Sequence, residues 1–170
     1  DMLVIGNVGW GRKYHYTDLT PDEQYTHVTL WAMQASPLLI GCDMAVADDF
    51  TKSLLCNNEV IDVNQDPLGY AATKIYGDNS YATYFKPLED GSIAVAMFNL
   101  SEKPKTIGFK PRALGVIGDK ITVRDLWRQK DISVMTNDKD RFDTEVAPHG
   151  VVLVKVFPGF SKERPVGSKR

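Results

Sequence analysis

Two kinds of hydrophobic pattern follow one another along the chain, and they meet at a turn-forming segment, Asp66-Pro67-Leu68-Gly69. Before this turn, continuous apolar runs of the kind found in parallel strands alternate with segments of helical spacing. After it, short alternating runs are separated by turn residues roughly every 8–12 positions, which is typical of an antiparallel sandwich or barrel. The pattern therefore predicts two β/α units followed by an all-β domain.

The segment before the turn predicts two buried strands, at residues 2–5 and 38–41, each followed by a helix. Both runs are apolar without interruption, as in strands that are covered on two faces. Thr20 and Glu23 have the spacing of a capping box, which marks the start of the first helix. We expect Pro37 to end this helix, whose apolar face would comprise Val28, Trp31, Ala32 and Ala35.

A second helix is predicted to begin at Asp48-Asp49 and to stop at Asn57-Asn58. Two negative charges suit the positive end of a helix dipole. Adjacent carboxylates on a helix point in different directions, so a helix start explains this pair better than acid–base chemistry does. A short helical turn through residues 60–63 is expected before the boundary.

Beyond the turn, the alternating runs predict eight antiparallel strands, with a short helical excursion around Leu114. We place an α/β part at residues 1–69 and a β-sandwich domain at residues 70–158. Residues 159–170 lack apolar periodicity, and we expect a flexible tail there. The strands are predicted at Thr73–Tyr76, Tyr81–Phe85, Ile93–Asn99, Thr106–Phe109, Lys120–Asp125, Ile132–Met135, Asp143–Val146 and Val151–Val156.

Composition narrows the classes of function. The chain has 170 residues, a formal net charge of −2, 43% hydrophobic residues and a pI near 5.9. These values argue against intrinsic disorder and against a nucleic-acid-binding surface. No apolar run approaches the ~18 residues of a membrane-spanning helix, so we expect neither a membrane nor a nucleic-acid partner. The chain opens at Asp1 without an initiator methionine or a basic leader, and we expect a fragment of a longer protein.

The residue types that bind metals are scattered along the sequence. Cys42 and Cys56 form no CxxC motif, and the histidines lie far apart, at His15, His27 and His149. We therefore predict no metal site and no cofactor. The two cysteines fit separate thiols better than a disulfide, but the sequence leaves their pairing open. It also leaves the compartment open, with an extracellular or periplasmic location as one option.

Asp43 is better placed to line a site than Asp48 or Asp66, and Asp1 has the same standing as Asp43. Asp43 directly follows a predicted buried strand, and ligands of β/α folds collect at the carboxyl ends of strands. Trp10, Tyr14 and Tyr16 lie in the long loop on the same side, where flat aromatic faces suit stacking on a sugar as well as packing within the loop. Three other residues fit structural roles in a turn or the core: Asp66, Trp127 and His149.

Six segments carry a specific resemblance in their order along the chain. They are DMLVIGN, TPDEQYTHVTLWAMQASPLLIGCDM, NEVIDVNQDPLG, SIAVAMFNLSEKP, ITVRDLW and EVAPHGVVLVKV. These segments resemble the C-terminal stretch of glycoside hydrolase family 27, the α-galactosidase (melibiase) family, from Asp1 to about Pro158. The resemblance implies the last two β/α units of a (β/α)₈ barrel, beginning at the seventh strand, followed by an antiparallel β-sandwich.

The resemblance also implies a chemistry and a substrate pocket. Family members are retaining glycosidases, in which one aspartate attacks the anomeric carbon and a second serves as acid and then base. These aspartates follow the fourth and sixth barrel strands, which this sequence does not contain, so we assign no catalytic residue. Asp1 and Met2 match the family's Asp-Met pair at the galactose pocket: Asp1 would make polar contacts and Met2 would give apolar contact to the sugar. The loop after Asn7 is longer than expected for the family, and we add its Trp10 to the pocket wall.

Two hypotheses of function follow. In the first, the parent protein is a retaining, exo-acting α-galactosidase that hydrolyses terminal α-galactosides, and this chain is inactive without the missing barrel strands or a partner chain. In the second, the chain is a carbohydrate-binding or structural β-sandwich module. The sequence leaves open whether the substrate is an α-galactoside, an α-N-acetylgalactosaminide or a β-L-arabinopyranoside. Open sheet edges and an uncovered apolar face also predict that isolated residues 1–68 do not remain ordered as a monomer.

Overall fold

The computed structural model describes residues 2–9 and 13–158. The predicted site residues Asp1 and Trp10 lie outside the described residues, and so does the predicted tail at residues 159–170.

The two apolar runs before the turn lie side by side and run parallel. Leu3 bridges to Ile40: the Leu3 amide donates to the Leu39 carbonyl at 2.8 Å, and the Gly41 amide donates to the Leu3 carbonyl at 3.1 Å. A hairpin of β1 (Asn7–Val8) and β2 (His15–Tyr16) occupies much of what sequence patterning leaves as a loop.

The prediction that both runs are covered on two faces is wrong. Leu3 and Ile5 are fully buried against the helices. Met2, Val4, Leu39 and Ile40 are between 37% and 50% exposed. The described residues supply helices for only one face of this parallel pair, so Met2 and Val4 of the first run and both Leu39 and Ile40 of the second remain partly in solvent.

Three α-helices cover the buried face: α1 (Pro21–Met33), α2 (Asp49–Leu55) and α3 (Asn58–Asn64). A single turn of 3₁₀-helix, Met44–Val46, lies between α1 and α2. The capping box at the start of α1 is confirmed, because the Glu23 amide donates to Thr20 Oγ1 at 3.3 Å and the Thr20 amide donates to Glu23 Oε2 at 2.8 Å.

The end of α1 differs from the prediction, since the helix stops before Pro37. Its last residue is Met33, and Ala35 follows with a φ of 50°, so Ala35 is not part of the helical face. The Ser36 amide reaches back to the Trp31 carbonyl at 3.0 Å, which is the hydrogen bond of a Schellman turn. This turn satisfies the terminal carbonyls without help from the proline.

The second helical region also differs from the prediction in one respect. Asp48 caps α2 as expected, accepting from the Thr51 amide at 2.7 Å. Asn57 does more than stop α2, because it is the N-cap of α3 and accepts from the Glu59 and Val60 amides at 3.1 and 3.2 Å. The helical turn expected at residues 60–63 is therefore a separate, capped helix.

All eight strands predicted after the turn are confirmed, with ends within two residues of the prediction. They are β3 (Thr73–Gly77), β4 (Tyr81–Pro87), β5 (Ile93–Asn99), β6 (Lys105–Phe109), β7 (Ile121–Asp125), β8 (Lys130–Met135), β9 (Phe142–Val146) and β10 (Val151–Pro158). Six of these strands form one antiparallel sheet in the order β3-β4-β5-β10-β7-β8, and β6 pairs with β9 in a second, two-stranded sheet. A 3₁₀-helix at Pro111–Leu114 matches the predicted excursion.

The six-stranded sheet has a hydrophobic core on each face. One core lies between this sheet and the β6–β9 sheet, and it contains Val95, Met97, Ile107, Phe109, Val123, Phe142 and Val154. The other lies between the sheet and the helices, and it contains Ala94, Ala96, Phe98, Leu126 and Leu153 together with Val28, Ala32, Leu54 and Val60. The fold is thus two β/α units packed on an antiparallel β-sandwich.

Buried polar contacts join the helices to the sandwich. Lys86 of β4 is fully buried, and its Nζ donates to the Val63 carbonyl in the last turn of α3 at 2.6 Å. Asn57 Nδ2 donates to the Leu126 carbonyl at 2.9 Å, and Trp127 Nε1 donates to Thr29 Oγ1 at 2.9 Å. No helix within residues 2–9 and 13–158 is long and apolar enough to cross a membrane.

Candidate functional site

Met2 is the predicted substrate-binding residue that the structure describes. It directly precedes the bridged residue Leu3 and is 39% exposed. Gly41, on the neighbouring strand, lies against it: a Cβ built on Gly41 would stand 3.0 Å from Met2 Cβ and 2.9 Å from the Leu3 carbonyl oxygen. The missing side chain at position 41 therefore makes room for Met2, a role that sequence reasoning did not assign to this glycine.

The pairing of β1 with β2 brings Tyr14 to the end of the second apolar run. Tyr14 lies near the Asp43 carboxylate, and desolvation, followed by the charge of Asp43, raises the pKa of the Tyr14 phenol. The Asp43 amide donates to the Asn7 carbonyl at 2.9 Å, and its carboxylate accepts from the Ala45 amide at 2.9 Å. Asp43 and Tyr14 are thus brought together, as their positions predicted, with Asp43 also capping the 3₁₀ turn.

Tyr16 is held by a different carboxylate. Its hydroxyl donates to Asp48 Oδ2 at 3.2 Å. Hydrogen bonds from Thr51 and from Tyr16 lower the pKa of Asp48, so this group is a carboxylate over a wide pH range. Its position at the start of α2 and its N–H donors confirm the interpretation of Asp48 as a helix cap.

The outer edge of the first apolar run is closed by side chains. The Val4 amide donates to His27 Nε2 at 3.1 Å, and Thr17 Oγ1 donates to the Val4 carbonyl at 2.8 Å. The Gly6 amide donates to Oε1 of the buried Gln24 at 3.2 Å. One of the sheet edges predicted to be open is therefore satisfied by the chain itself, because the segment from β2 to α1 folds back along it.

His27 is the functional-site neighbour that sequence reasoning missed, since a lone histidine in a helix gives no signal of its contacts. Burial lowers the pKa of His27, and a backbone hydrogen bond with Met2 partly opposes this effect. The neutral imidazole is the form that can accept the Val4 N–H. Its ring also packs against Trp31, with a centroid distance of 4.3 Å.

The remaining candidates have structural roles. Asp66 accepts from the Leu68 amide at 3.1 Å in the predicted turn, and Trp127 packs edge-on against Tyr25 at 4.9 Å between ring centroids. His149 sits in a tight turn with a φ of 53°. Cys42 and Cys56 are free thiols, and within the described part of the chain no group of three or more His, Cys, Asp or Glu side chains is placed to bind a metal.

Two family profiles match the chain in sequence. The profile described as "Alpha galactosidase A" matches residues 1–66, and the profile described as "Alpha galactosidase C-terminal beta sandwich domain" matches residues 78–156. Among curated proteins, the chain is 32% identical over 159 residues to the α-galactosidase of Cyamopsis tetragonoloba, a match that covers 93% of this chain and 36% of that protein. It is 36% identical over 162 residues to alpha-galactosidase 3 of Arabidopsis thaliana, covering 93% of this chain and 35% of that protein.

Solved structures resemble the fold over almost the whole chain. A GH27 β-L-arabinopyranosidase from Geobacillus stearothermophilus aligns with a TM-score of 0.84 and 34% identity, over 95% of this chain and 37% of that one. α-Galactosidase I from Mortierella vinacea aligns with a TM-score of 0.79 and 28% identity, over 94% of this chain and 39% of that one. The chain spans about a third of the length of the curated relatives named above.

Proposed function

The chain belongs to the α-galactosidase (melibiase) family, glycoside hydrolase family 27, and we propose that it forms the C-terminal part of a retaining, exo-acting α-galactosidase that hydrolyses terminal α-galactosides. One observation carries the proposal. The parallel Leu3–Ile40 pair, its helices and the sandwich occur together in one chain, in the order of the two matching profiles. In this proposal residues 1–69 are the last two β/α units of the barrel and residues 70–158 are the sandwich domain.

Met2 contributes an apolar contact to the galactose pocket in this proposal. Its side chain is exposed on the face of the parallel pair that the helices leave uncovered, and Gly41 leaves it the space to lie there. A thioether is soft and apolar, which suits contact with the C–H face of a sugar ring. We propose Asp1 as a polar support of the same pocket and Trp10 as part of its wall.

The reaction requires two further carboxylates. Hydrolysis with retention uses one carboxylate as nucleophile and one as acid and then base, placed about 5–5.5 Å apart. In the family these groups follow the fourth and sixth barrel strands, so we propose that this chain shapes and supports the pocket but supplies neither group. Activity then depends on the missing barrel strands, from a longer chain or from a partner chain.

The choice of sugar is the finer part of the proposal. The relatives that are named α-galactosidases support a terminal α-galactoside as the substrate. A relative from Gallus gallus, 30% identical to this chain, is instead named an α-N-acetylgalactosaminidase. The Geobacillus structure is named a β-L-arabinopyranosidase. All three substrates therefore belong in the assay.

The test compares the 170-residue chain with the longer protein that contains it, using nitrophenyl glycosides of the three sugars. We expect the longer protein to hydrolyse the α-galactoside fastest and to release the α-anomer first, and the short chain to be inactive. Met2→Ala in the longer protein should raise KM about tenfold, since it removes the apolar side chain proposed to contact the sugar, and the loss of such a contact typically has an effect of this size. Ile132→Ala, at a similarly exposed position of β8, is the matched control and should leave KM unchanged.

Three results would contradict the proposal. The first is hydrolysis by the 170-residue chain alone. The second is a longer protein that releases the β-anomer first. The third is sugar binding by residues 70–158 together with an inactive longer protein, which would favour a carbohydrate-binding module instead.

A further inference from the structure

A cavity of about 500 Å³ lies where the helical layer of the fold meets the sandwich. Its walls are α3, the turn between β4 and β5, β7 and the end of β10. We call it the junction pocket and define it by Glu59, Asp90, Arg124, Leu126, Lys155 and Phe157. Its volume is in the range of pockets that bind small molecules in proteins.

The junction pocket exists because the helices cover only part of the sheet face. Along β10, Leu153 is fully buried beneath the helices, whereas Lys155 and Phe157, two and four residues further on, are only partly buried. Arg124 of β7 and Leu126, which directly follows this strand, line the same pocket and are buried. Two neighbouring strands, a helix and the turn between β4 and β5 therefore form the pocket together.

The charged side chains of the pocket are paired with one another. Arg124 binds Glu59 through two hydrogen bonds, Nε to Oε2 at 2.9 Å and Nη2 to Oε1 at 2.8 Å, and its Nη1 binds Asp131 at 3.0 Å. Lys155 Nζ binds Asp90 Oδ2 at 2.7 Å. The bidentate geometry fixes Arg124 and Glu59 in place, because a bidentate guanidinium–carboxylate pair is directional.

The pairing of the cations argues against an anionic ligand. Among the described residues, the pocket lining includes two cations, Arg124 and Lys155. Each of them is already bonded to a carboxylate of the pocket, so a phosphate or a carboxylic acid would find no uncompensated cation there. A wholly apolar ligand would bury the remaining acceptor sites of these carboxylates without giving them hydrogen bonds, which is also unfavourable.

The carboxylates keep capacity to accept hydrogen bonds. Each ionised carboxylate has about four acceptor sites, more than its present partners use. Desolvation acts to raise the pKa of Asp90, but hydrogen bonds from Lys155 and Ser92 outweigh it, and the net effect is a lowered pKa. Asp90 is therefore an acceptor at neutral pH and would favour ligands that donate from hydroxyl groups.

Apolar side chains line the same pocket as these acceptors. They are Phe157 and Leu126, and Lys155 Nζ, which binds Asp90, lies 5.5 Å from the centroid of the Phe157 ring. Hydroxyl groups on one side and an apolar C–H face on the other are the features of a sugar ring. We propose that the junction pocket binds a neutral, hydroxyl-rich ligand, a mono- or oligosaccharide, whose hydroxyls donate to Asp90 and Glu59 and whose ring packs on Phe157.

The experiment is a titration of the isotope-labelled 170-residue chain with raffinose, followed through its backbone amide NMR signals. Raffinose at up to about 50 mM covers the millimolar affinities expected of a single small pocket. We expect saturable shifts at Gly91, Ser92 and Leu126, with no comparable response to galactose 6-phosphate or to spermidine. Because no hydrolysis is measured, the outcome is independent of the proposed α-galactosidase activity.

Variants give the titration a matched control. Phe157→Ala and Asp90→Asn should each weaken raffinose binding about tenfold, as loss of an anchor in a small site does. Asp78→Asn is the control, because Asp78 accepts from the Ser80 amide and hydroxyl as Asp90 does from Ser92, but in a turn outside the pocket. Unshifted pocket amides, wild-type affinity in Asp90→Asn, or tighter binding of the phosphate or the amine would each overturn the inference.

Discussion

The α/β part and the sandwich satisfy their backbones by different means. In the sandwich, β5 pairs with β4 from Asn99 to Ile93 and with β10 from Phe98 to Ile93, so main chain meets main chain on both sides. In the α/β part, Leu3 and Ile40 form one parallel bridge, and the outer edge of the first run is satisfied by side chains from residues 17–27. The central strands of the sandwich are thus paired along both sides, whereas the first strand of the α/β part is bonded at its outer edge by side chains.

Much of the support for the α/β part comes from the sandwich. The core that includes Leu3, Val28 and Leu54 also contains Phe98, Leu126 and Leu153 of the six-stranded sheet. The sandwich keeps a second core on its other face, between the two sheets. The comparison therefore indicates a one-sided dependence: the α/β part needs the sandwich more than the sandwich needs the α/β part.

Separating the two parts should have the largest effect. We expect residues 70–158 to unfold cooperatively on heating, because the core between the sheets remains intact. Residues 1–68 should lose protease resistance, because their buried apolar side chains lose the partner sheet. Limited proteolysis and calorimetry of the two pieces measure this difference. A protease-resistant segment 1–68, or a sandwich that does not fold, would refute the one-sided dependence.

Lys86 is the most buried charge at the junction, and removing it should have the next largest effect. Lys86→Ala should lower the free energy of unfolding by about 3 kcal/mol, because it leaves both a cavity and an unpartnered Val63 carbonyl. Lys86→Met keeps most of the volume and should recover much of the loss. Urea denaturation of the full chain gives both values, and a loss below about 1 kcal/mol for Lys86→Ala would contradict the role of Lys86.

Lys86 should also make the free energy of unfolding depend on pH. Burial lowers the pKa of Lys86 in the folded state, so the unfolded chain binds its proton more tightly. Stability attributable to this group should therefore rise with pH between the folded pKa and the unfolded value of about 10.4. The difference in stability between wild type and Lys86→Met, measured by urea denaturation, should change with pH in that window and be constant below the folded pKa.

The two helix caps provide a smaller and better matched comparison. Asp48 and Asn57 both cap short helices, but only Asn57 also reaches the sandwich, through the Leu126 carbonyl. Asp48→Ala should cost about 1 kcal/mol of unfolding free energy, the usual value for a lost cap. Asn57→Ala should cost about 2–3 kcal/mol, since it also leaves a buried carbonyl without its donor. Equal losses in urea denaturation would show that the Asn57 contact adds no stability.

Local sequence signals predicted the sandwich better than the junction. The alternation of apolar residues and the turn residues between them are local, and they placed all eight strands. The Thr20 cap is equally local and was found for the same reason. The burial of Lys86 and the room that Gly41 leaves for Met2 depend on residues far apart in sequence, and neither residue type gives a signal of such contacts. Pro37 was misassigned because a Schellman turn had already ended the helix.

The smallest effect expected is a pair of opposite pH responses, one in the α/β part and one in the sandwich. Burial lowers the pKa of His27 below about 6.5, so stability from this neutral group should fall as the pH drops from that value through the folded pKa. His149 pairs with Glu102 at 3.0 Å, which raises the pKa of His149. The stability from this pair should therefore be fully present below about pH 6.5 and should be lost as the pH rises through the folded pKa.

Two variants test these pH responses. His27→Gln, which keeps an acceptor for the Val4 amide, should remove the loss of stability at acid pH. His149→Asn, which tolerates a positive φ, should remove the loss of stability at higher pH. Denaturation curves between about pH 5 and 8 distinguish the two, because the two variants must change the slope of stability with pH in opposite directions. If both variants changed the slope of stability with pH in the same direction, His27 would not be held neutral at the strand edge.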